Sequence, residues 1–270
     1  MRLTAVVIAA AAMVAGCNGV SDWGNQEREL SGETGSRDIA LEGFEKVNLR
    51  GPDHVVVTAG DEFSIRAEGD EAILDTLEFE VRDGALRVKR ENNSWFGRGP
   101  DGVATIHVTM PSIRGASIAG SGNMTIDRAE APEFSVNIAG SGDLEIVALA
   151  TGRTNIDIAG SGGFTAAGIS TAIELNIAGS GDVDIGELQA ETMEVEIAGS
   201  GDVQAYVTGE VDASMVGSGD VRVRGGAECR SSSMGSGDLT CARSALQHLR
   251  RSLRRRADAP ARLPPPGPAF

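Results

Sequence analysis

Residues 173–203 read IELNIAGSGDVDIGELQAETMEVEIAGSGDV. Before Gly179 every second residue is apolar (Ile173, Leu175, Ile177), and Glu174 and Asn176 between them are polar. After Gly-Ser-Gly-Asp the alternation resumes with Val183 and Ile185; Met193, Val195 and Ile197 then lead into a second Gly-Ser-Gly. A period of two means a strand with one buried face. Each unit is therefore strand, glycine corner, strand, second turn.

Outward from this stretch the phrase occurs seven times: at Gly120 and Gly122, Gly140 and Gly142, Gly160 and Gly162, Gly179 and Gly181, Gly199 and Gly201, Gly217 and Gly219, and Gly235 and Gly237. The start-to-start spacings are 20, 20, 19, 20, 18 and 18 residues. A fixed period near 20 marks a repeat architecture. One unit cannot bury its apolar stripe alone. Stacked units can, as parallel strands about 4.8 Å apart around a shared interior. The predicted class is all-β, a parallel β-helix (β-solenoid) with about 18–20 residues per coil. The corner glycines are expected to supply positive φ and to let corners stack without Cβ clashes.

The IAGSGD and GSGDV repeats follow residues 43–70, GFEKVNLRGPDHVVVTAGDEFSIRAEGD. Together these resemble the head GIN domain family of autotransporter adhesins, a GSGD-repeat β-solenoid family, over roughly residues 39–241. The resemblance implies a single-stranded, right-handed β-helix. It implies location and architecture more than chemistry.

Aromatic residues are only 4% of the chain and glycines number 36, which suits a narrow lumen of Val, Ile, Leu and Ala. Seven arginines against one aspartate give residues 242–270 a charge of +6, which leaves −21 on the rest of a chain of net charge −15. An acidic body argues against nucleic acid as a partner and against electrostatic docking on anionic lipid.

Residues 1–16 read as a lipoprotein signal peptide. Arg2 precedes an apolar run, Leu3 to Val14, too short to span a membrane. Val14-Ala15-Gly16-Cys17 resembles a bacterial lipobox, with lipidation expected at Cys17. Asn18 rather than Asp after the cysteine favours the outer membrane or cell surface, with the periplasmic face as the other option. The lipid makes the membrane one expected partner. Residues 17–38 are expected to be the lipidated cysteine and a flexible tether.

Residues 39–110 keep the strand rhythm without the phrase. Strands are predicted near 44–50, 53–59, 63–68, 78–82, 85–90 and 103–109, with a tight turn at Asp83-Gly84. A short helix is predicted over 70–77 with Asp70 as N-cap. This part is expected to form the first, irregular coils and to cover the N-terminal end, which would otherwise template aggregation. Residues 91–101 read as a loop carrying Trp95 and Phe96, either folded onto the solenoid or forming a contact patch. Residues 111–241 are expected to be seven regular coils. Residues 242–270 break the pattern as an Arg- and Pro-rich tail. It reads as a disordered basic segment that binds acidic partners or the acidic body, or as a reading-frame artefact, and residues 243–256 have the pattern of a short basic helix.

Catalytic groups are sparse: His54, His107 and His248, Tyr206, Lys46 and Lys89. The repeated serines lack the spacing of a nucleophile elbow. The expectation is a binding or structural protein with no cofactor and no catalytic residue, directed at a glycan or an envelope protein. The alternatives are a polysaccharide-acting β-helix enzyme such as a lyase, or an envelope sensor partner. Oligomeric state is left open. Stacked corners would align Asp143, Asp182, Asp202, Asp220 and Asp238 in one column, which Asn123 and Gly163 interrupt. These are calcium candidates, or else turn formers that accept N–H groups at their own corners. A second column, Ser135, Asn155, Glu174, Glu194, Asp212 and Arg230, is expected on an outward face. Cys229 and Cys241 have inward parity, aligned with Val211 and Val223 one coil earlier, and are a candidate disulfide in an oxidising compartment.

Overall fold

The computed structural model describes residues 30–91 and 102–242. The signal segment with Cys17, the loop bearing Trp95 and Phe96, and the basic tail lie outside these residues. In chain order the elements are β1 (Thr34–Ile39), β2 (Lys46–Arg50), β3 (His54–Ala59), β4 (Ser64–Asp70), a one-turn helix α1 (Glu71–Leu74), β5 (Leu77–Arg82), β6 (Ala85–Arg90) and β7 (Thr105–Met110). Then come β8 (Gly115–Gly120), the long strands β9 (Asn123–Gly140), β10 (Leu144–Gly160), β11 (Phe164–Gly179), β12 (Val183–Gly199) and β13 (Val203–Gly217), and finally β14 (Val221–Arg224), β15 (Glu228–Gly235) and β16 (Leu239–Cys241).

From β8 onward every pairing is parallel. The interior is a set of vertical stacks, such as Val136–Ile156–Leu175–Val195–Ala213 and Ile138–Ile158–Ile177–Ile197–Met215, all buried. The architecture is a β-solenoid of about six turns. The seven corners bound six intervals, one fewer than the seven coils expected.

The corner explains its own sequence. The first glycine of each phrase has φ between +134° and +147°, a region that L side chains rarely adopt. Its carbonyl accepts the N–H of the serine in the next coil, as from Ser161 to Gly140 and from Ser180 to Gly160, both at 2.8 Å. A Cβ on Gly160 would sit 2.2 Å from the Gly140 carbonyl oxygen, and one on Gly199 1.8 Å from that of Gly179. The second glycine differs from expectation. Gly122, Gly142, Gly162, Gly181, Gly201, Gly219 and Gly237 are not at positive φ. They are glycines because each underlies the next: a Cβ on Gly142 would meet the Gly122 carbonyl oxygen at 2.0 Å. The serine between them contributes its backbone N–H to the stack.

The second turn of each coil is not a break but a bend inside one long strand. In β10 consecutive outward residues at Val147-Ala148 and Gly152-Arg153 mark the places where the alternation resets. Register shifts fall there as well, between Ile146 and Leu149 and between Ile185 and Gln189. Variation in the period is absorbed at this side, while the Gly corners stay in line. One interior stack is polar at the bend. Thr154, between Phe134 and Ile173, is buried, and its hydroxyl is satisfied by Ser170 at 2.9 Å and Thr151 at 2.8 Å.

The N-terminal part is ordered differently in space than in sequence. β2 lies between β6 and β8, and β3 between β7 and β9, all parallel. The coil β2–β3 is thus inserted between the later coil β6–β7 and the regular stack. Antiparallel strands β4 and β1 extend the sheet beyond β7, and β5 pairs antiparallel with β6. With α1, whose Ile73 and Leu74 are buried, these elements lie at the N-terminal end of the stack. The helix is one turn rather than the eight residues predicted, and Asp70 is its N-cap. Asp83-Gly84 makes the β5–β6 turn with both residues at positive φ. Strand β1 corrects the tether boundary: residues 34–38, expected to be flexible, pair with β4 because Ile39 and Arg37 meet Ile65 and Ala67 in register.

Candidate functional site

The corner aspartates form a column that faces an open groove of about 640 Å³, whose other wall includes Thr125, Glu145, Thr165, Asp184 and Gln204 from the strand segments that leave each corner. The carboxylates do not bind their own turns. Each accepts from the next coil: Gly163 N–H to Asp143 Oδ1 (2.8 Å), Asp202 N–H to Asp182 Oδ1 (3.0 Å), Asp220 N–H to Asp202 Oδ1 (2.9 Å) and Asp238 N–H to Asp220 Oδ1 (3.1 Å). Asn123 serves Asp143 in the same way at 3.0 Å. Gly163 has no side chain, so the rung to Asp182 is missing. Parallel stacking places each corner N–H over the previous side chain, and this geometry wins over the local turn.

The outward carboxylate oxygens are partly neutralised by Arg222, 2.9 Å from Asp220 Oδ2 and 3.8 Å from Asp202 Oδ2. Among the described residues no three acidic, histidine or cysteine side chains gather as they would around a metal ion. The hydrogen bonds make the column an inter-coil backbone clamp, with an acidic outer surface.

The second predicted column is in line as read: Ser135, Asn155, Glu174, Glu194, Asp212 and Arg230 occupy successive rungs. Arg153 approaches Glu174 at 3.6 Å, and Arg230 approaches Asp212 at 3.5 Å. Two residues along, Asn137, Asp157, Asn176 and Glu196 line a second open groove of about 540 Å³ together with Ala139, Ala159, Ala178 and Ala198. Asn176 Nδ2 donates to Asp157 Oδ1 at 3.0 Å. The strand segments before the corner thus present a flat face of amides, carboxylates and methyl groups repeating at the coil spacing.

The sparse catalytic groups are distributed as follows. His54 and His107 lie on the neighbouring strands β3 and β7, two rungs apart, and among the described residues neither imidazole has a carboxylate or hydroxyl partner. Lys89 is held above its ordinary value by the Glu78 carboxylate, which both hydrogen-bonds and attracts it at 2.6 Å, the opposite of what a lysine base requires. Tyr206 is on the far bend, in register with Gln189 and Arg224. His248 lies outside the described residues. Cys229 and Cys241 are joined as a disulfide between β15 and β16, with Cα atoms 6.6 Å apart, and they stand over Val211 and Val223.

One feature of the N-terminal part escaped sequence reading. Gly51-Pro52-Asp53 is an eighth corner without the phrase. Gly51 has φ +130°, and its carbonyl accepts the N–H of Gly122 at 2.9 Å. Asp53 stands where other corners carry the second glycine, and it is fully buried. Arg90 Nε reaches its Oδ2 at 2.9 Å, Ala104 N–H reaches its Oδ1 at 2.8 Å, and Arg90 also reaches the Gly102 carbonyl at 2.8 Å. The available signal was a Gly-Pro-Asp between two alternating strands. Its distance from Gly120 does not match the period because the end-covering elements intervene.

The family described as "Putative auto-transporter adhesin, head GIN domain" matches residues 43–227. The chain belongs to this family. No curated protein is detectably similar to the chain. Among solved structures, a "putative adhesin" from Bacteroides fragilis is 20% identical, with a TM-score of 0.71 over 79% of this chain and 99% of that one. A "putative lipid binding protein" from Parabacteroides distasonis is 23% identical, with a TM-score of 0.64 over 80% and 99%. A "putative adhesin" from the same organism is 17% identical, with a TM-score of 0.62 over 79% and 99%. At these identities the neighbours establish a shared fold alone. The eighth corner at Gly51 falls inside the matched residues, whereas β1, β15, β16 and both cysteines of the disulfide fall outside them.

Proposed function

We propose that this GIN head is a binding module displayed on the cell envelope by a lipid on Cys17, and that it takes an extended polymer, a glycan first, along its flat pre-corner face. The observation that carries this reading is the in-register column Ser135–Asn155–Glu174–Glu194–Asp212. It offers hydrogen-bonding groups at the strand spacing of about 4.8 Å on a rigid wall. A chain molecule laid across the coils meets the same chemistry at every rung, so many weak contacts add. The family description and the fold neighbours support an adhesive or binding role rather than a catalytic one. The apolar run before Val14-Ala15-Gly16-Cys17 supports the anchor.

Two measurements test the two parts. Mature protein is applied to an array of bacterial and host glycans. Asn155→Ala, Glu174→Ala and Glu194→Ala combined are expected to abolish retention without changing the melting temperature; retention at full strength by the triple variant rejects this face. Cys17→Ser is expected to move the protein out of the membrane fraction. Unchanged fractionation at unchanged mass rejects the anchor.

A further inference from the structure

The pre-corner face changes sign along its length. Its outward columns run on past β9 and β8 to β2. One reads Lys46–Gly115–Ser135–Asn155–Glu174–Glu194 in register. The next starts at Asn48 and reaches Glu196 on the same strands, and the third starts at Arg50 and reaches Ala198 over a row of alanines. On this face β2 therefore presents two cations and β12 two carboxylates. Between them, β8 and β9 place no charged residue in any of the three columns.

The charges around these four are answered. Beyond β2, Arg87 has Glu80 at 3.5 Å and Lys89 has Glu78 at 2.6 Å. Within the face Glu174 has Arg153, Asp212 has Arg230, and Asp157 accepts from Asn176. The side chains of Lys46, Arg50, Glu194 and Glu196 are exposed and have no hydrogen bond or ion pair among the described residues. Glu194 also stands directly between Glu174 and Asp212, and like charges so placed repel. Five strand spacings, about 24 Å, separate β2 from β12. Charges in physiological salt are screened beyond roughly 8 Å, so the two ends do not neutralise one another.

We propose that the polymer bound on this face is zwitterionic: a glycan with both carboxylates and free amino groups, held in one direction. A carboxylate of the chain sits at Lys46 and Arg50, and an ammonium group sits at Glu194 and Glu196. The assignment rests on the reading of this face as a polymer site, and adds to it the charge and the polarity of the ligand. A uniformly anionic chain meets the carboxylates of β11 to β13. A uniformly cationic chain meets Lys46 and Arg50. A chain with both signs satisfies each end, and complementarity of this kind sets specificity.

The probe is hyaluronan from which part of the N-acetyl groups has been removed, so that one backbone carries carboxylates and free amines. Native hyaluronan supplies the anion alone and chitosan the cation alone. The mature protein is expected to bind the zwitterionic chain about tenfold more tightly than either. Lys46→Gln with Arg50→Gln should weaken that binding about tenfold, and so should Glu194→Gln with Glu196→Gln. Charge reversal should move the preference, which a loss of fold would not do. Lys46→Glu with Arg50→Glu is expected to turn it to chitosan, and Glu194→Lys with Glu196→Lys to native hyaluronan.

Equal binding of the three chains, or reversals that leave the preference unmoved, overturn the charge assignment. The polymer face itself still stands in that case if neutral dextran is bound and is lost in the triple variant of Asn155, Glu174 and Glu194. Binding of none of these chains overturns the assignment, and a blank glycan array then removes the polymer face as well. A dimer of the free protein that the same reversals break apart gives both charged ends to a second copy and equally rejects the proposal.

Discussion

The regular stack, 115–217, and the N-terminal part, 34–110, build the same lumen by opposite means. The stack is held by repetition: each corner makes the same backbone contacts as the one before, and no side chain at a corner is unique. The N-terminal part is held by single contacts. Asp53 with Arg90 closes a corner that lacks the second stacked glycine, and Asp70 clips Ser31, Gly32 and Ala72. Repetition makes a structure tolerant of losing one polar group and intolerant of adding one atom. Unique contacts have the reverse sensitivity.

The largest effect should come from adding an atom to the stack. Gly199→Ala places a Cβ 1.8 Å from a carbonyl oxygen at φ +147°. Backbone strain and overpacking together should cost roughly 3–6 kcal/mol. Gly43, at φ +79° with open space around it, should cost only about 1–2 kcal/mol on the same change. Urea denaturation of both variants measures the contrast, and equal losses would show that stacking does not set the corner sequence. Gly181→Ala extends the test: it is not at positive φ, so its loss should come from the Gly162 carbonyl oxygen 2.5 Å away and not from strain.

Removing a polar group should act the other way round. Asp53→Ala removes the buried carboxylate that half-buried Arg90 and the Ala104 N–H share, and should cost about 3–5 kcal/mol. Asp143→Ala removes one rung of an exposed ladder and should cost about 1 kcal/mol. Thermal melts of the two variants decide this, and similar shifts would refute the asymmetry.

The end of the stack should be intermediate. Opening the Cys229–Cys241 link with Cys229→Ser and Cys241→Ser releases a loop of about 13 residues, worth up to about 3 kcal/mol in the chain-entropy model. The loss should be confined to β15 and β16. Exchange that accelerates equally in β10–β12 would mean that the link serves the whole solenoid.

The smallest effect is in acid. Partial desolvation pushes Asp70 up, but hydrogen bonds from Ser31, Ala72 and Gly32 outweigh it and hold the carboxyl below its ordinary value. A depressed folded value means that the clip is intact above about pH 4, the unfolded carboxylate range, and is lost as pH falls through the folded value. Amide exchange at Ser31, Gly32 and Ala72, corrected for intrinsic rates, should accelerate in that window. Asp70→Asn should remove the pH dependence, and its persistence would point to another carboxylate.

The sequence by itself determined the solenoid, its coil length, its interior residues from Phe134 to Val223, the alignment of both outward columns and the inward parity of Cys229 and Cys241. These follow from side-chain alternation and from a period written seven times, both local properties of the chain. Tertiary structure alone decided the rest. It separated the two glycines of each phrase, one required by φ and the other by the carbonyl of the coil beneath. It turned the aspartates from turn formers into clamps between coils, because the N–H group above each one belongs to a residue 18–20 positions later. It inserted β2–β3 between β6–β7 and β8–β9, and so buried Asp53 against Arg90. Contacts such as Asp53 with Arg90 link residues 37 positions apart and occur once. A repeat announces itself in sequence because each copy confirms the others; a contact made once leaves no second copy to read.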